Sequence, residues 1–286
     1  MPKYRKMLVA FDGSPSAENA LRQAFVLARD EKIWITVATV VPSYDGDMDL
    51  TGVSDVHVLL RRPGEEILSR AVALAEKEGV LIRPVLEEGI PHERLLELAA
   101  PDNASSLILM GRRGLSRVEK SLMGSTTARV IGHTANDVLV IPEGSRIGWQ
   151  RILIATDGSR HSMLAAEKAI DLAASYKGSL LVLGVVDFPA EFYGEAPDVV
   201  ERMVRETHGF VSAIREKAAA AGIEATGRVM EGEAHAAITE TARTEQIHAI
   251  VLGSHGRTGI KRLLMGSVAE KVIGYADCPI LVAKTA

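Results

Sequence analysis

Residues 253–267 read GSHGRTGIKRLLMGS, and residues 111–125 read GRRGLSRVEKSLMGS. Both open with two glycines three apart and close on Leu-Met-Gly-Ser, with a nine-residue spacer at 115–123 and 257–265. A loop pattern of that length does not recur by accident, so the surrounding chain is read for an internal repeat. KMLVAFDGSPSAENALRQAFVLA at 6–28 matches RILIATDGSRHSMLAAEKAIDLA at 151–173, and DVLVIPEG at 137–144 matches CPILVAK at 278–284. The repeat is far longer than a solenoid unit. The chain therefore reads as two duplicated domains, 1–145 and 150–286, with GSRIGWQ at 144–150 as the linker.

Within each half the elements alternate. MLVAF and ILIAT are short β-rich apolar runs of the kind that form buried parallel strands. Each leads through Asp-Gly-Ser into a helical pattern and then a second strand, IWITVATVV or SLLVLGVV. A variable loop, a long helix, a third strand and a third helix follow. The fourth strand, SLILMG or AIVLG, runs into the glycine segment, and a fourth helix and a last strand close each half. Strands alternating with helices predict an α/β fold of two tandem doubly wound domains, each with a five-stranded parallel sheet.

Open α/β sheets bind ligands beyond the carboxyl ends of their strands. The glycine segment begins at such an end. A Cβ at Gly253 would obstruct a bound group, and Gly256 would let the chain turn with positive φ. Gly266 and Ser267 then open the next helix, whose free N–H groups and partial positive charge favour an anion. Ser267 would cap that helix or give its hydroxyl to a phosphate. Gly111, Gly114, Gly124 and Ser125 form the equivalent set. The pattern is neither the P-loop nor the G-x-G-x-x-G dinucleotide turn. Asp12 and Asp157, at the end of each first strand, could accept from a ribose hydroxyl or an adenine amine, or Asp-Gly-Ser could simply cap the following helix. Arg113, Arg117, Lys120, Arg257, Lys261, Arg262 and His255 are candidate phosphate neutralisers or ordinary loop charges.

Strand-DGS, G-x2-G-x9-G-[ST] and the closing strand resemble the universal stress protein family, here as a tandem, over essentially the whole chain. The resemblance implies strand order 3-2-1-4-5 and pairing through the last strand, so that the halves pack as a pseudo-dimer. It also implies a bound ATP or AMP, with Val40 and Val185 near the adenine and Met110 and Leu252 lining the site. Thr126 and Val268 follow the serine in the two halves. The second half follows the pattern more closely, because Arg112 stands where a small residue is usual, either to touch phosphate or to crowd the cradle. The second site is thus the better candidate.

Composition narrows the function classes. Aromatics are 4% and net charge is −4 with both signs mixed, which argues against nucleic acid and anionic membrane as partners. One cysteine, Cys278, suits a reducing compartment and reads as a structural thiol, and no apolar run approaches a membrane span, so the expected location is cytoplasmic. The histidines lack metal-ligand spacing, although Mg2+ can accompany ATP with few protein ligands. The segment 43–63, with Asp45, Asp47 and Asp49, reads as a lid or surface loop. Together these features predict an adenine-nucleotide-binding regulatory protein of the stress response, acting on an unknown protein partner and not an efficient enzyme. The alternatives are a slow ATP hydrolase and a scaffold that binds no nucleotide. The tandem can satisfy its own pairing strand or associate further as a homodimer.

Overall fold

A computed structural model describes residues 4–43, 56–100, 106–114, 123–188, 190–257 and 265–284. The first half runs β1 (Lys6–Ala10), α1 (Pro15–Glu31), β2 (Trp34–Val41), α2 (Val56–Lys77), β3 (Ile82–Glu88), α3 (Pro91–Leu98), β4 (Ser106–Gly111), α4 (Ser125–His133) and β5 (Val138–Ile141). The second runs β6 (Arg151–Thr156), α5 (Arg160–Tyr176), β7 (Ser179–Val186), α6 (Ala190–Glu195), α7 (Pro197–Ala220), β8 (Ala225–Glu231), α8 (Ala234–Thr244), β9 (Ala249–Gly253), α9 (Ser267–Tyr275) and β10 (Ile280–Ala283).

The strands form one sheet in the order β3-β2-β1-β4-β5-β10-β9-β6-β7-β8. Each half has the order 3-2-1-4-5 and is parallel throughout. The halves meet where β5 and β10 pair antiparallel, Leu281 opposite Leu139. The expected pseudo-dimer is thus a single continuous ten-stranded sheet. Both joining strands, VLVI and ILVA, are buried at every position. Burying a leucine fully contributes roughly 1.5–3 kcal/mol, so this seam is a strong hydrophobic junction.

Helices cover both faces. One core lies under α1, α2, α5 and α7, with Phe11, Phe25, Leu109 and Leu139 in it. The other lies under α3, α4, α8 and α9, with Met110, Val140, Leu183 and Leu252. Strand residues alternate between the two, which is why the strands read as continuous apolar runs.

The segment expected to be a loop at 43–63 is shorter than predicted. Helix α2 already begins at Val56 and passes through Pro63, a residue that sequence reasoning takes as a breaker. Gly64 explains the close seat of this helix: a Cβ there would stand 2.4 Å from Val41 Cγ1 and 2.8 Å from Leu86 Cδ1. Asp45, Asp47, Asp49, Arg117, Lys120, Lys261 and Arg262 lie outside the described residues.

Asp137 ties the halves together. It is buried, accepts from Tyr4 Oη at 2.6 Å and from the Lys284 backbone N–H at 2.8 Å, and pairs with Lys168 of α5. Burial, with the Asp137 charge added, pushes the Tyr4 hydroxyl well above its usual range. Lys168 also donates to the Lys284 carbonyl at 2.8 Å. The connection between the halves is likewise held: Asn19 donates to the carbonyls of Pro142 and Ser145, and Gln23 accepts from Ile147 N–H at 2.9 Å.

Candidate functional site

Beyond β1 the chain runs through Phe11 to Asp12 and turns at Gly13 with φ +77°, a conformation that favours glycine. Ser14 then caps α1, accepting from Ala17 N–H at 3.2 Å. Asp12 does not cap. Its Oδ1 accepts from Ser14 N–H at 3.0 Å, and its Oδ2 lies under the glycine loop. The second half repeats this: Gly158 has φ +75°, Ser159 caps α5, and Asp157 Oδ1 accepts from Ser159 N–H at 3.0 Å.

The glycines of the repeated segment are required for reasons other than those expected. A Cβ at Gly111 would meet the Ser16 carbonyl carbon at 2.7 Å and Ala17 N at 2.8 Å, and one at Gly253 would meet the His161 carbonyl carbon at 2.7 Å. Their close neighbour is the first turn of a helix in the same half. Gly114 and Gly256 are not among the positive-φ residues. They lack a side chain because Asp12 Oδ2 and Asp157 Oδ2 would lie 2.5 and 2.8 Å from a Cβ. Gly124 N–H donates to the Arg112 carbonyl and Gly266 N–H to the Ser254 carbonyl, each at 2.9 Å. The three glycines, spread along fourteen residues of sequence, thus converge on one turn stacked over one aspartate.

Gly124 and Gly266 are themselves the N-cap residues of α4 and α9, so neither serine caps its helix. With no side chain at the cap, the first-turn N–H groups have no acceptor from that position. Thr127 Oγ1 donates to the Gly111 carbonyl at 3.1 Å and ties this helix start to the end of β4.

In the first half these elements enclose a cavity of about 230 Å³. Ala10, Ala38, Val40, Pro91, Leu95 and Met110 make its apolar wall, and Asp12, Arg113, Gly114, Gly124, Ser125 and Thr126 its polar side. Every first-half candidate, Asp12, Val40, Met110, Gly111, Gly114, Gly124, Ser125 and Thr126, lines it. Ala10, Ala38, Pro91 and Leu95 were missed. A small residue in a strand carries no signal by itself, whereas the apolar stripe of α3 could have pointed to Leu95.

Arg112 departs from both of its expected roles. Its Nη1 crosses to the other half and donates to the Ala276 carbonyl, at the C-cap of α9, at 2.9 Å. A cation at a helix C-terminus is favourably placed. Burial, with Arg113 adding to it, lowers its basicity from the usual arginine range.

The second half assembles Asp157, Val185, Leu252, Gly253, Gly256, Gly266, Ser267 and Val268 on the equivalent elements, but its surroundings differ. Leu183 pairs with Ala155 in the register position where Ala38 pairs with Ala10, and Leu183 is fully buried. An isobutyl group thus stands where the first half has a methyl. Asp157 Oδ2 accepts from Arg257 N–H at 2.9 Å. Burial pushes the Asp157 carboxyl up, but hydrogen bonds from Ser159, Ser162 and Arg257 outweigh it and the net shift is downward. The Arg257 guanidinium, a candidate phosphate neutraliser, lies 4.9 Å from the centre of the Phe210 ring and 3.7 Å from Glu206, so it is engaged by α7. The rings of His161 and His255 lie 5.5 Å apart. Burial, then His255, Lys284 and Arg160, hold the His161 imidazole below its usual range against the pull of Asp157.

Cys278 is half-buried, and desolvation pushes its thiol up to about 12, as suits an unreactive side chain. Among the described residues no three His, Cys, Asp or Glu side chains are grouped to hold a metal, and no helix is long and apolar enough to cross a membrane.

With the fold and both loops in view, comparison with known proteins is direct. The profile of the Universal stress protein family matches residues 3–142 and again 148–284. The chain belongs to that family, as a tandem member. It is 34% identical over 151 residues to a universal stress protein of Methanocaldococcus jannaschii, covering 51% of this chain and 87% of that one. It is 26% identical over 308 residues to a universal stress protein of Mycobacterium tuberculosis, covering 97% and 94%. In fold it resembles the crystal structure of a universal stress protein from Archaeoglobus fulgidus, with a TM-score of 0.76, 21% identity and coverage of 100% and 99%.

Proposed function

We propose that the protein is an adenine-nucleotide-binding regulatory member of its family, taking ATP or AMP in the first-half cavity. The observation that carries this reading is the meeting, in one cavity, of an apolar wall and a helix start with no capping side chain. The wall of Ala38, Val40, Leu95 and Met110 suits a flat heteroaromatic base. Asp12 lies beside it, a carboxylate able to accept from a ribose hydroxyl. The α4 N-terminus, Ser125, Thr126 and Arg113 suit a phosphate chain, and Mg2+ would ride on that chain.

The same residues argue for binding over turnover. Asp12 Oδ1 accepts from the Ser14 amide beneath the glycine loop, and among the described residues of the cavity lining no second carboxylate or imidazole joins it. We take residues 1–145 and 150–286 as two structural units joined by 144–150, of which the first offers room for the base. Any protein partner would read the nucleotide state of that unit.

Calorimetric titration of the nucleotide-free protein with Mg-ATP and with AMP tests the reading, and one equivalent per chain is expected. Ala38→Leu, which places the second half's residue in the first half's wall, should weaken binding by roughly 1–3 kcal/mol, about 5- to 150-fold. Absence of heat and of thermal stabilisation by either nucleotide would leave the scaffold reading.

A further inference from the structure

The glycine turn of the first half is fastened to the second half by a side chain that the second turn lacks. Arg112 belongs to the first turn through its backbone. Its N–H donates to the Ile141 carbonyl at the end of β5 at 3.2 Å, and its carbonyl accepts from Gly124 N–H at 2.9 Å. Its side chain crosses the seam, where Nη1 donates to the Ala276 carbonyl at the C-cap of α9 at 2.9 Å. The matching residue of the second turn is Ser254, a short side chain whose hydroxyl meets His255 Nδ1 at 3.1 Å.

The next residue, Arg113, lines the first-half cavity, whereas Arg112 does not. Two guanidinium groups thus follow one another in the chain, one at the cavity and one on α9. Burial, and then the Arg113 charge, hold Arg112 below the usual arginine range, against the pull of Asp277 and Glu143. A half-buried cation beside a like charge is kept there at a cost. An anion meeting Arg113 offsets that repulsion. Such an anion is therefore bound better while Arg112 sits on Ala276 than when Arg112 swings into solvent, and a ligand shifts an equilibrium by this kind of difference. Beyond Ala276 come Asp277 and Cys278, and Cys278 packs against the core under α8 and α9.

We propose that Arg112 is a strut between the halves, through which the phosphate chain of a nucleotide in the first-half cavity tightens the corner at 276–279 that joins α9 to β10. This coupling rests on the reading of that cavity as a nucleotide site and adds regulation to it: a surface of the second half changes its stability with occupancy of the first. Arg112 is thus a positioning residue. Coupling is reciprocal, so the closed corner raises nucleotide affinity by the factor by which nucleotide closes the corner.

Cys278, the sole cysteine, serves as the reporter. Burial pushes its thiol up to about 12, so a maleimide labels it when the corner opens and not while it is closed. Labelling of the full chain is timed with and without saturating Mg-ATP, beside calorimetry of the same samples. Mg-ATP is expected to slow labelling about five- to tenfold. Arg112→Ser, which installs the second half's residue, should label faster without ligand, weaken Mg-ATP by that same factor, and label at one rate whether nucleotide is bound or not. Asp277→Asn lies outside the cavity lining and removes a charge that draws Arg112 to the corner. It should weaken Mg-ATP about two- to fivefold, and it serves if the arginine variant folds poorly. Heat of binding with unaltered labelling in the natural chain would overturn the coupling and leave the nucleotide reading standing. Slowing that persists in Arg112→Ser would overturn it too, because bound ligand would then be stabilising the whole fold by mass action. So would an unchanged affinity in both variants. Absence of heat in the natural chain would remove the nucleotide reading, and the strut with it.

Discussion

At one register position β2 carries Ala38 and β7 carries Leu183, and at another α1 carries Ser16 where α5 carries His161. The backbones around them follow the same path, with the same glycine turns over the same aspartate. What separates the halves is therefore side-chain volume and charge at a few positions. Beside the uncapped helix the first half has Ala38 where the second has Leu183, and around the turn the second carries His161 and His255 where the first has Ser16 and Arg113. A conserved-looking loop motif reports on how the chain turns, while the walls decide what can enter.

The largest test of this contrast is Leu183→Ala. It should cost about 2–5 kcal/mol of stability in urea unfolding, as buried leucines do, and open a second equivalent of Mg-ATP in calorimetry. Stability loss without a second equivalent would mean that Leu183 is not what sets the two halves apart. Asp137 has Pro279 as its counterpart, so the buried charge is lopsided too. Asp137→Asn should cost roughly 3 kcal/mol, because Lys168 loses its buried partner. A cost near zero would show that the hydrophobic seam alone holds the halves.

Gly111→Ala and Gly253→Ala should each cost about 1–3 kcal/mol, since the added carbon meets backbone. Gly124→Ala and Gly266→Ala meet only ordinary contacts from 3.5 Å outward and should change stability by less than about 0.5 kcal/mol. Equal losses at all four would mean that the third glycine is structural after all.

The smallest effect is one of pH. Folding lowers Lys284 to about 8 from 10.5, so above pH 8 the unfolded chain holds more protons and stability rises with pH, by at most about 1.4 kcal/mol per unit. Cys278, raised to about 12 from 9.0, works in the opposite sense above pH 9. Urea midpoints should therefore climb from pH 8 to pH 9 and then level, and Lys284→Met should remove the climb.

Much of this was legible beforehand. Strand runs, Asp-Gly-Ser and the doubled glycine spacing located the five-stranded units and the loop beside the cavity, because backbone turns impose residue types locally. Gly256 was assigned a positive φ that it does not have, since sequence shows that a side chain is unwanted but not whether torsion or space forbids it. Arg112 was expected at the ligand and instead reaches Ala276. Such a contact joins residues 164 apart and leaves no periodic trace. The preference for the second half rests on motif agreement, and the contrast of Ala38 with Leu183 leaves no mark in that motif because both are ordinary strand residues.

The antiparallel pairing of β5 with β10 has a consequence for how the halves could diverge. Two identical subunits joined through such a seam would carry identical sites, and dilution would part them. A covalent tandem holds its second half at an effective concentration set by the short connection, so the seam persists at any dilution. Each copy is then free to drift, because a substitution in one does not appear in the other. One gene can thereby carry two different walls around the same turn.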